Sequence, residues 1–278
     1  MNIHAFSVGR LSLPPRHVSA CRRTLPGRYL DVWRDDSRLE PAPIFCFAIE
    51  HPEGVIVVDV GETTDVFEPR AVDLGARLLV DRDSLDLEPA DELASQLEMT
   101  GIDPAAVSTV VLTHLHFDHA GAVGAFPNAD VLVSRREYLA HRLLPLGSSV
   151  HRWPDDLEPT RLTYDDGPFG PFEASHRLTE SGDVIVVPTS GHTPGHQSVI
   201  VREEDALVCL AGDVTFTESQ LLNDDVVGIA LDGRTSRQSA AKIRRLLERE
   251  RVVYLPTHDP GTKYRLEERV PTTIDASD

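Results

Sequence analysis

The segment from residue 109 to residue 126, TVVLTHLHFDHAGAVGAF, constrains this chain more than any other stretch. It places three histidines and one aspartate within six positions, directly after a β-branched apolar run that predicts a buried strand. Alternate side chains of an extended backbone share a side, so His114 and His116 are predicted to point together. Asp118 and His119 follow where the chain turns into a helix. The segment predicts either a metal-binding strand end or a solvated turn that happens to be rich in histidine.

The geometry of this segment suits two neighbouring metal ions, because imidazole and carboxylate groups bind zinc and other divalent metals. A six-residue loop cannot complete two coordination shells, so further ligands must come from elsewhere in the chain. Three polar residues each follow an apolar strand signal and are candidates for this role. The predicted ligands are His114, His116 and His192 for one metal, Asp118, His119 and His258 for the other, and Asp213 between the two.

Short β-rich runs and helical patterns alternate along the chain. Candidate strands lie at 43–50, 55–60, 108–112, 130–134, 183–187, 197–201, 206–210 and 252–255. Helical patterns cover 89–101, 134–144 and 236–250, with Gly101 as a predicted C-cap. This mixture predicts α/β layers in which helices cover sheets, within a single domain over residues 1–278. The irregular segments 62–82 and 145–181 are predicted to supply pocket walls.

Composition narrows the classes of partner. Acidic residues outnumber basic ones 45 to 27, which argues against nucleic acid or an anionic membrane as the main partner. No segment approaches the roughly 18 apolar residues of a membrane span, and the first residues do not resemble a signal peptide. Three widely spaced cysteines offer no disulfide framework, and Cys46 and Cys209 are predicted to be buried. These features predict a cytoplasmic protein that acts on a small molecule.

The HxHxDH motif, followed by a GH loop, a strand-end GD and a late strand-end His, resembles the metallo-β-lactamase superfamily of dinuclear hydrolases. The segment VIVVDVG at 55–61 is similar to the early Asp-containing strand end of that superfamily, and the resemblance covers roughly residues 43–259. It implies an αββα sandwich of two mixed β-sheets flanked by helices, with the metal site at one edge between the sheets. It also implies the ligand assignments given above and a hydroxide between two metals, which are expected to be zinc, with iron, manganese or cobalt as alternatives.

The resemblance also implies supporting roles for residues around the ligands. Asp59 is predicted to accept a hydrogen bond from a ligand imidazole, and His196 to brace its loop rather than bind metal. Asp259 is predicted either to orient a ligand imidazole or to lie in a solvated loop. Asp118 is predicted to carry a proton to the leaving group as well as to bind metal. The remaining histidines are predicted to have surface or packing roles: His4, His17, His51, His141, His151 and His176.

Within the superfamily, the segments 114–138 and 190–201 look most like those of N-acyl-homoserine lactonases. These lactonases carry a tyrosine three residues after the bridging aspartate, where its hydroxyl contacts the substrate, whereas this chain has Phe216. Phe216 is therefore predicted to line the substrate pocket without donating that hydrogen bond. The alternatives are an esterase or organophosphate hydrolase of the same fold and, outside enzymes, a non-catalytic metal-binding module, which the complete ligand set disfavours. A homodimer is a family-level expectation.

Overall fold

Two units, each with its own β-sheet, make up the fold of the computed structural model, which describes residues 1–19, 24–35, 37–67, 85–143 and 147–274. The first unit contains residues 1–12 and 40–162, and the second contains residues 13–39 and 163–278. The expectation of one domain over residues 1–278 stays a prediction.

The regular elements of the described residues are numbered in chain order. They are β1 (Asn2–Leu11), α1 (Pro15–Val18), α2 (Leu25–Trp33), β2 (Ala42–His51), β3 (Gly54–Val58), β4 (Leu85–Asp86), α3 (Leu93–Thr100), β5 (Val107–Val111), α4 (Phe117–Ala120), β6 (Asp130–Ser134), α5 (Arg135–Leu143), β7 (Thr160–Leu162), β8 (His176–Arg177), β9 (Val184–Pro188), β10 (Gln197–Arg202), β11 (Leu207–Gly212), α6 (Glu218–Leu222), α7 (Gly233–Leu247), β12 (Val252–Pro256) and α8 (Thr262–Glu267). Short 3₁₀ turns lie at Thr64–Phe67, Pro104–Ala106, Val123–Ala125 and Val150–Arg152.

The sheet of the first unit has the strand order β4-β1-β2-β3-β5-β6-β7. The strands from β4 to β3 pair antiparallel, and β3, β5, β6 and β7 pair parallel. Apolar β-branched residues fill the central strands, and Val57, Val110 and Val111 are fully buried. Because β3 and β5 run in the same direction, the segments that follow them leave the sheet at the same edge. Asp59 follows β3 there, and the histidine-rich loop follows β5.

The sheet of the second unit has the order β12-β11-β10-β9-β8, with β11 and β12 parallel and the other pairs antiparallel. One face of α7 packs into its core, where Ala240, Ile243 and Leu246 join Ile200 and Tyr254. Since β9, β11 and β12 all run in one direction, the loops that follow them leave the sheet at one edge. These three loops contain His192, Asp213 and His258.

All eight predicted strands are present, each within two residues of its predicted ends. The prediction of two mixed β-sheets accompanied by helices is confirmed. The burial of Cys46 and Cys209 is also confirmed, and both are free thiols. Residues 68–82 of the first predicted pocket wall, 145–146 of the second, and Cys21 lie outside the described residues. Within the part of the chain that the structure describes, no helix is both long and apolar enough to cross a membrane.

Two of the predicted helices had wrong boundaries. Helix α3 begins at Leu93 rather than at 89, because the Asp91 side chain accepts the backbone N–H of Glu88 and closes a separate turn before it. Helix α7 covers Gly233–Leu247 rather than 236–250, because the carboxylate of Asp232 accepts the first backbone N–H groups and sets an earlier start.

The longest of the elements that were not predicted from the sequence are β1 and α2. The pairing of β1 with β2 shifts register between Ser7 and Arg10, around Gly9 with φ of 110°. This bulge interrupts the alternation of apolar and polar residues that would identify a strand. Helix α2 carries Pro26 and Gly27 in its first turn, and both residues normally indicate a loop.

Helix α3 offers a matched test of the core of the first unit. Leu97 is fully buried, whereas Met99, two residues later, is 73% exposed. Leu97→Ala is expected to lower the free energy of unfolding by about 2–5 kcal/mol, because it leaves a cavity. Met99→Ala is expected to change it by less than about 0.5 kcal/mol. Urea denaturation followed by circular dichroism measures both, and equal effects would contradict the assigned faces of α3.

Candidate metal centre

The histidine-rich loop forms a dense, buried cluster in the first unit. His114 and His119 have no exposed surface, and their ring centroids lie 4.1 Å apart. The ring of His116 lies 4.5 Å from that of His114, with Nδ1 of His116 2.9 Å from Nε2 of His114. Asp118 is buried, and its Oδ2 lies 3.7 Å from Nε2 of His119. The structure therefore brings the four predicted ligands of this loop together.

Asp59 organises this cluster from the end of β3. Its Oδ1 accepts the backbone N–H of Thr113 at 2.7 Å, and its Oδ2 accepts the Thr113 hydroxyl at 2.7 Å and Nδ1 of His119 at 2.8 Å. Because the Thr113 hydroxyl donates to Asp59, the nearby Nδ1 of His114, at 3.1 Å, is the donor in its own contact with that oxygen. The network therefore places a proton on Nδ1 of both His114 and His119, and leaves Nε2 of each as the lone-pair nitrogen.

The backbone of Asp59 explains why this position is an aspartate. Its φ of 57° lies in the left-handed region, where aspartate and asparagine are the best-tolerated residues after glycine. Glycine would lack the carboxylate, and asparagine would replace one acceptor oxygen by a donor. Aspartate adopts the required backbone conformation and accepts all three hydrogen bonds.

Helix α4, which carries Asp118 and His119, is fixed from two sides of the first unit. The loop after β3 contributes the backbone N–H of Val60, which donates to the carbonyl of His119 at 2.8 Å. On the other side, the carbonyl of Gly147 accepts the N–H of Phe117 at 2.9 Å, which holds the first residue of α4. The orientation of the ligands thus depends on segments distant in the sequence.

The second unit holds the other predicted ligands around Asp213. Its Oδ2 lies 3.3 Å from Nε2 of His192, and its Oδ1 lies 3.5 Å from Nε2 of His258. All three residues are at most 2% exposed. One carboxylate thus presents an oxygen to each of two imidazoles, which is the arrangement expected of an aspartate that lies between two metals. The His192 loop depends on Gly191, where a Cβ atom would lie 2.3 Å from the backbone of Ser236.

His196 braces this cluster through both ring nitrogens. Its Nε2 accepts the backbone N–H of Asp213 at 2.9 Å, so Nδ1 carries the proton and donates to the Thr189 hydroxyl at 2.9 Å. The relay continues from Thr189 to the Ser198 hydroxyl and from there to the carbonyl of Ala211. These contacts are those of a residue that braces its loop. They occupy both ring nitrogens of His196, and a metal would need one of them.

Asp259 follows the predicted ligand His258, and its observed partners lie on the other side of the loop. Its carboxylate accepts the backbone N–H groups of Glu218 and Gly261, each at 2.7 Å, and pairs with Arg265 at 2.9 Å. These contacts join the start of α6 to the loop after β12. The predicted contact with a ligand imidazole is not among the hydrogen bonds of this carboxylate in the described residues, and that role stays a prediction.

Phe216 lies against two of the predicted ligands of the second unit. Its ring centroid is 4.8 Å from that of His258 and 6.0 Å from that of His192, and the residue is 3% exposed. The imidazole of His17, from α1, stacks beside it at 6.5 Å and 25°. His17 is buried, so its observed environment is one of packing.

Several residues that shape the centre were not predicted. The role of Thr113 was not predicted because a threonine at a strand end is common. Its link to Asp59 is seen only in the contacts of the folded chain. Glu137, a buried residue of α5, accepts the backbone N–H of Leu115 between two ligands at 3.3 Å. Glu62 and Arg152 form a buried ion pair beside α4. The only sequence signal for Glu62 is its position three residues after Asp59.

The donor chemistry of both clusters fits divalent metal ions. Imidazole nitrogens and carboxylate oxygens face one another in a dry interior, where such groups require a hydrogen-bond partner or a cation. Burial, reinforced by the charges of Asp59 and Asp118, raises the pKa of the Cys46 thiol well above its usual value.

Comparisons with known proteins identify the family. The profile of the metallo-beta-lactamase superfamily matches residues 39–258. An N-acyl homoserine lactonase of Bacillus thuringiensis is 27% identical over 265 residues, covering 92% of each chain. The N-acyl homoserine lactonase AttM of Azorhizobium caulinodans is 30% identical over 223 residues, covering 78% of this chain and 82% of AttM.

Solved structures agree on the fold. An N-acyl homoserine lactone hydrolase with the product N-hexanoyl-L-homoserine bound at its catalytic metal centre aligns with a TM-score of 0.74 at 21% identity, covering 98% of this chain and 96% of the other. The dizinc quorum-quenching lactonase AidC aligns with a TM-score of 0.62 at 16% identity, covering 94% and 88%.

The chain belongs to the metallo-β-lactamase superfamily and has its fold, as the motif predicted. Its similar relatives are lactonases, which confirms the predictions of a resemblance to N-acyl-homoserine lactonases and of a hydrolase that acts on ester bonds.

The Asp59 network predicts the effect of one substitution on metal binding. Asp59→Asn keeps a side chain that tolerates a φ of 57° but turns a donor toward Thr113 or His119. It is expected to weaken Zn²⁺ binding about 10- to 100-fold, as measured by competition with a chromophoric chelator. Asp224→Asn is the control, because Asp224 has the same φ and an exposed side chain paired with Arg244. Equal zinc affinities for both variants would contradict the role of Asp59.

Proposed function

We propose that this chain hydrolyses the lactone ring of N-acyl homoserine lactones. The main observation behind the proposed chemistry is the Asp213 carboxylate. One of its oxygens faces His192 and the other faces His258, and the loops that contain these three residues leave the second-unit sheet at one edge. The similarity to N-acyl homoserine lactonases, over 92% of the chain in one case and 78% in another, supports the choice of substrate.

Two divalent cations, with zinc as the first choice, complete the proposed site. We assign His114, His116 and His192 to one metal and Asp118, His119 and His258 to the other, with Asp213 shared between them. When bound, such a pair polarises an ester carbonyl and lowers the pKa of a water. The hydrogen bonds support this assignment, since Asp59 accepts Nδ1 of His119 and the Thr113 hydroxyl, and that hydroxyl contacts Nδ1 of His114.

The chain itself contributes proton transfer in this proposal. Water adds its oxygen to the lactone carbonyl carbon, the ring C–O bond breaks, and the product carries a carboxylate and a free hydroxyl, with one proton released to solvent. A proton from water must reach the departing ring oxygen. We assign this step to Asp118, whose carboxylate lies beside His119 on the helix that both residues share.

Phe216 is the proposed wall of the substrate pocket. Its ring packs against two of the proposed ligands, so a substrate at the metals would meet an apolar surface there. The lactonase tyrosine at this position would add a hydroxyl donor that phenylalanine lacks. This difference leaves a related esterase or organophosphate hydrolase as the alternative outcome of a substrate test.

The proposal also includes the kind of partner, the cellular location and the oligomeric state. The partner is a small-molecule lactone or ester rather than nucleic acid or membrane, in keeping with the net charge of −18. A cytoplasmic location and a homodimer remain predictions.

His116→Ala tests the metal assignment together with the activity. The variant is expected to lose most lactone turnover and to retain less metal, because one imidazole of the ligand set is removed. Elemental analysis and a pH-indicator assay with N-hexanoyl homoserine lactone measure the two quantities. His4→Ala is the control, since His4 is partly exposed and pairs with Glu50.

The same assay should include simple γ- and δ-lactones, aryl esters, a phosphotriester and a chromogenic β-lactam. Full metal retention in His116→Ala would contradict the ligand assignment. Turnover of aryl esters or phosphotriesters without opening of any lactone would replace the proposed substrate by the alternative.

Phe216→Tyr tests the pocket wall. One added hydrogen bond to the bound substrate is expected to raise kcat/KM for N-hexanoyl homoserine lactone about 10-fold. Phe216→Leu keeps an apolar side chain without a ring or donor and should not raise it. Steady-state kinetics at equal metal content separates the two variants. A fall in kcat/KM for the tyrosine variant would place Phe216 outside the substrate pocket.

A further inference from the structure

A fully buried carboxylate that is not among the proposed ligands lies beside α4. Glu62 is 0% exposed, and one of its oxygens accepts the backbone N–H of Thr63 at 2.8 Å. The other oxygen pairs with the guanidinium of Arg152, whose side chain is 14% exposed. Burial raises the pKa of Glu62 to about 7, while Arg152 opposes this rise and the charge of Asp118 adds to it. The group is thus electrostatically coupled to a proposed ligand.

Glu62 packs against the end of the ligand-bearing helix. A Cβ atom at Gly121, the residue that follows α4, would lie 2.3 Å from Oε1 of Glu62, so the carboxylate occupies the space of a side chain there. The backbone supports the same approach, because the carbonyl of Gly61 accepts the N–H groups of Gly121 and Ala122 at 2.9 and 3.1 Å.

Arg152 belongs to a second segment that contacts α4. Its neighbour Trp153 donates Nε1–H to the carbonyl of Ala120, the last residue of α4, at 2.7 Å. The same segment accepts the N–H of Phe117 through the carbonyl of Gly147. Segment 147–153 thus holds both ends of α4, and the loop 59–62 holds its other side.

We propose that the Glu62–Arg152 ion pair is a positioning device that joins these two segments around α4 and so fixes Asp118 and His119 for metal binding. This inference rests on the proposed function, since it assigns the pair a purpose at the proposed metal site. The pair links the loop after β3 to segment 147–153, and so holds the helix that lies against both. Loss of Glu62 alone leaves the cation of Arg152 in a place that disfavours a second cation.

A purely structural ion pair would affect thermal stability without changing metal affinity, which gives a direct test. The variants are Glu62→Gln, Arg152→Gln and the double variant Glu62→Gln with Arg152→Gln. Zn²⁺ affinity is measured by chelator competition at a temperature well below each Tm. Glu173→Gln is the control, because Glu173 is exposed and pairs with Lys242 in the second unit.

Each single variant is expected to bind Zn²⁺ at least about 10-fold more weakly. The double variant is expected to recover to within about threefold of the unmodified chain, because two neutral amides restore a hydrogen-bonded, charge-balanced link. If Glu62→Gln does not fold, Arg152→Lys replaces it in the test. This variant is expected to bind Zn²⁺ about threefold more weakly, since lysine keeps the charge but lacks the planar guanidinium group.

Unchanged Zn²⁺ affinity in the folded variants, whatever their Tm, would overturn the positioning role and leave the proposed function intact. A chain that in its unmodified form binds no Zn²⁺ would overturn both. Normal Zn²⁺ binding without lactone opening would remove the proposed substrate but leave the positioning role standing if the variants lose affinity.

Discussion

The hydrogen bonds of Asp59 are the interaction on which the centre of the first unit depends. One carboxylate holds the backbone and hydroxyl of Thr113 and the Nδ1 of His119, and through Thr113 it also sets the proton on His114. The buried parallel strands β3 and β5 make this possible, since their carboxyl ends leave the sheet at one edge. The positive φ at Asp59 turns the chain back toward the loop and restricts the position to very few residue types.

In the second unit, a different set of hydrogen bonds orients the predicted ligands. A relay of four groups runs from His196 through Thr189 and Ser198 to the carbonyl of Ala211, and it fixes the backbone N–H of Asp213. The Asp213 carboxylate is then oriented between His192 and His258. In both units a hydrogen-bonded side chain orients a neighbouring residue that is predicted to bind a metal.

The sequence locates the residues that cluster within each unit because each follows an apolar strand, and a strand end is recognisable from its hydrophobic pattern. Their role as metal ligands stays a prediction. The same reasoning locates all eight predicted strands but misses β1, whose bulge at Gly9 breaks the alternation, and α2, whose first turn contains Pro26 and Gly27. It also misses Glu62 and Arg152, which are 90 residues apart. Such a pair becomes visible only when the fold brings its members together, because neither residue carries a local pattern.

The central proposal is that this chain binds two divalent metal ions. The most direct test is a titration of the metal-stripped chain with Zn²⁺, followed by calorimetry. The account predicts saturation at two Zn²⁺ ions per chain, and loss of both tight binding events when Asp213 is replaced by alanine. Saturation at one ion or none, or two ions bound as tightly by the Asp213→Ala variant, would contradict it.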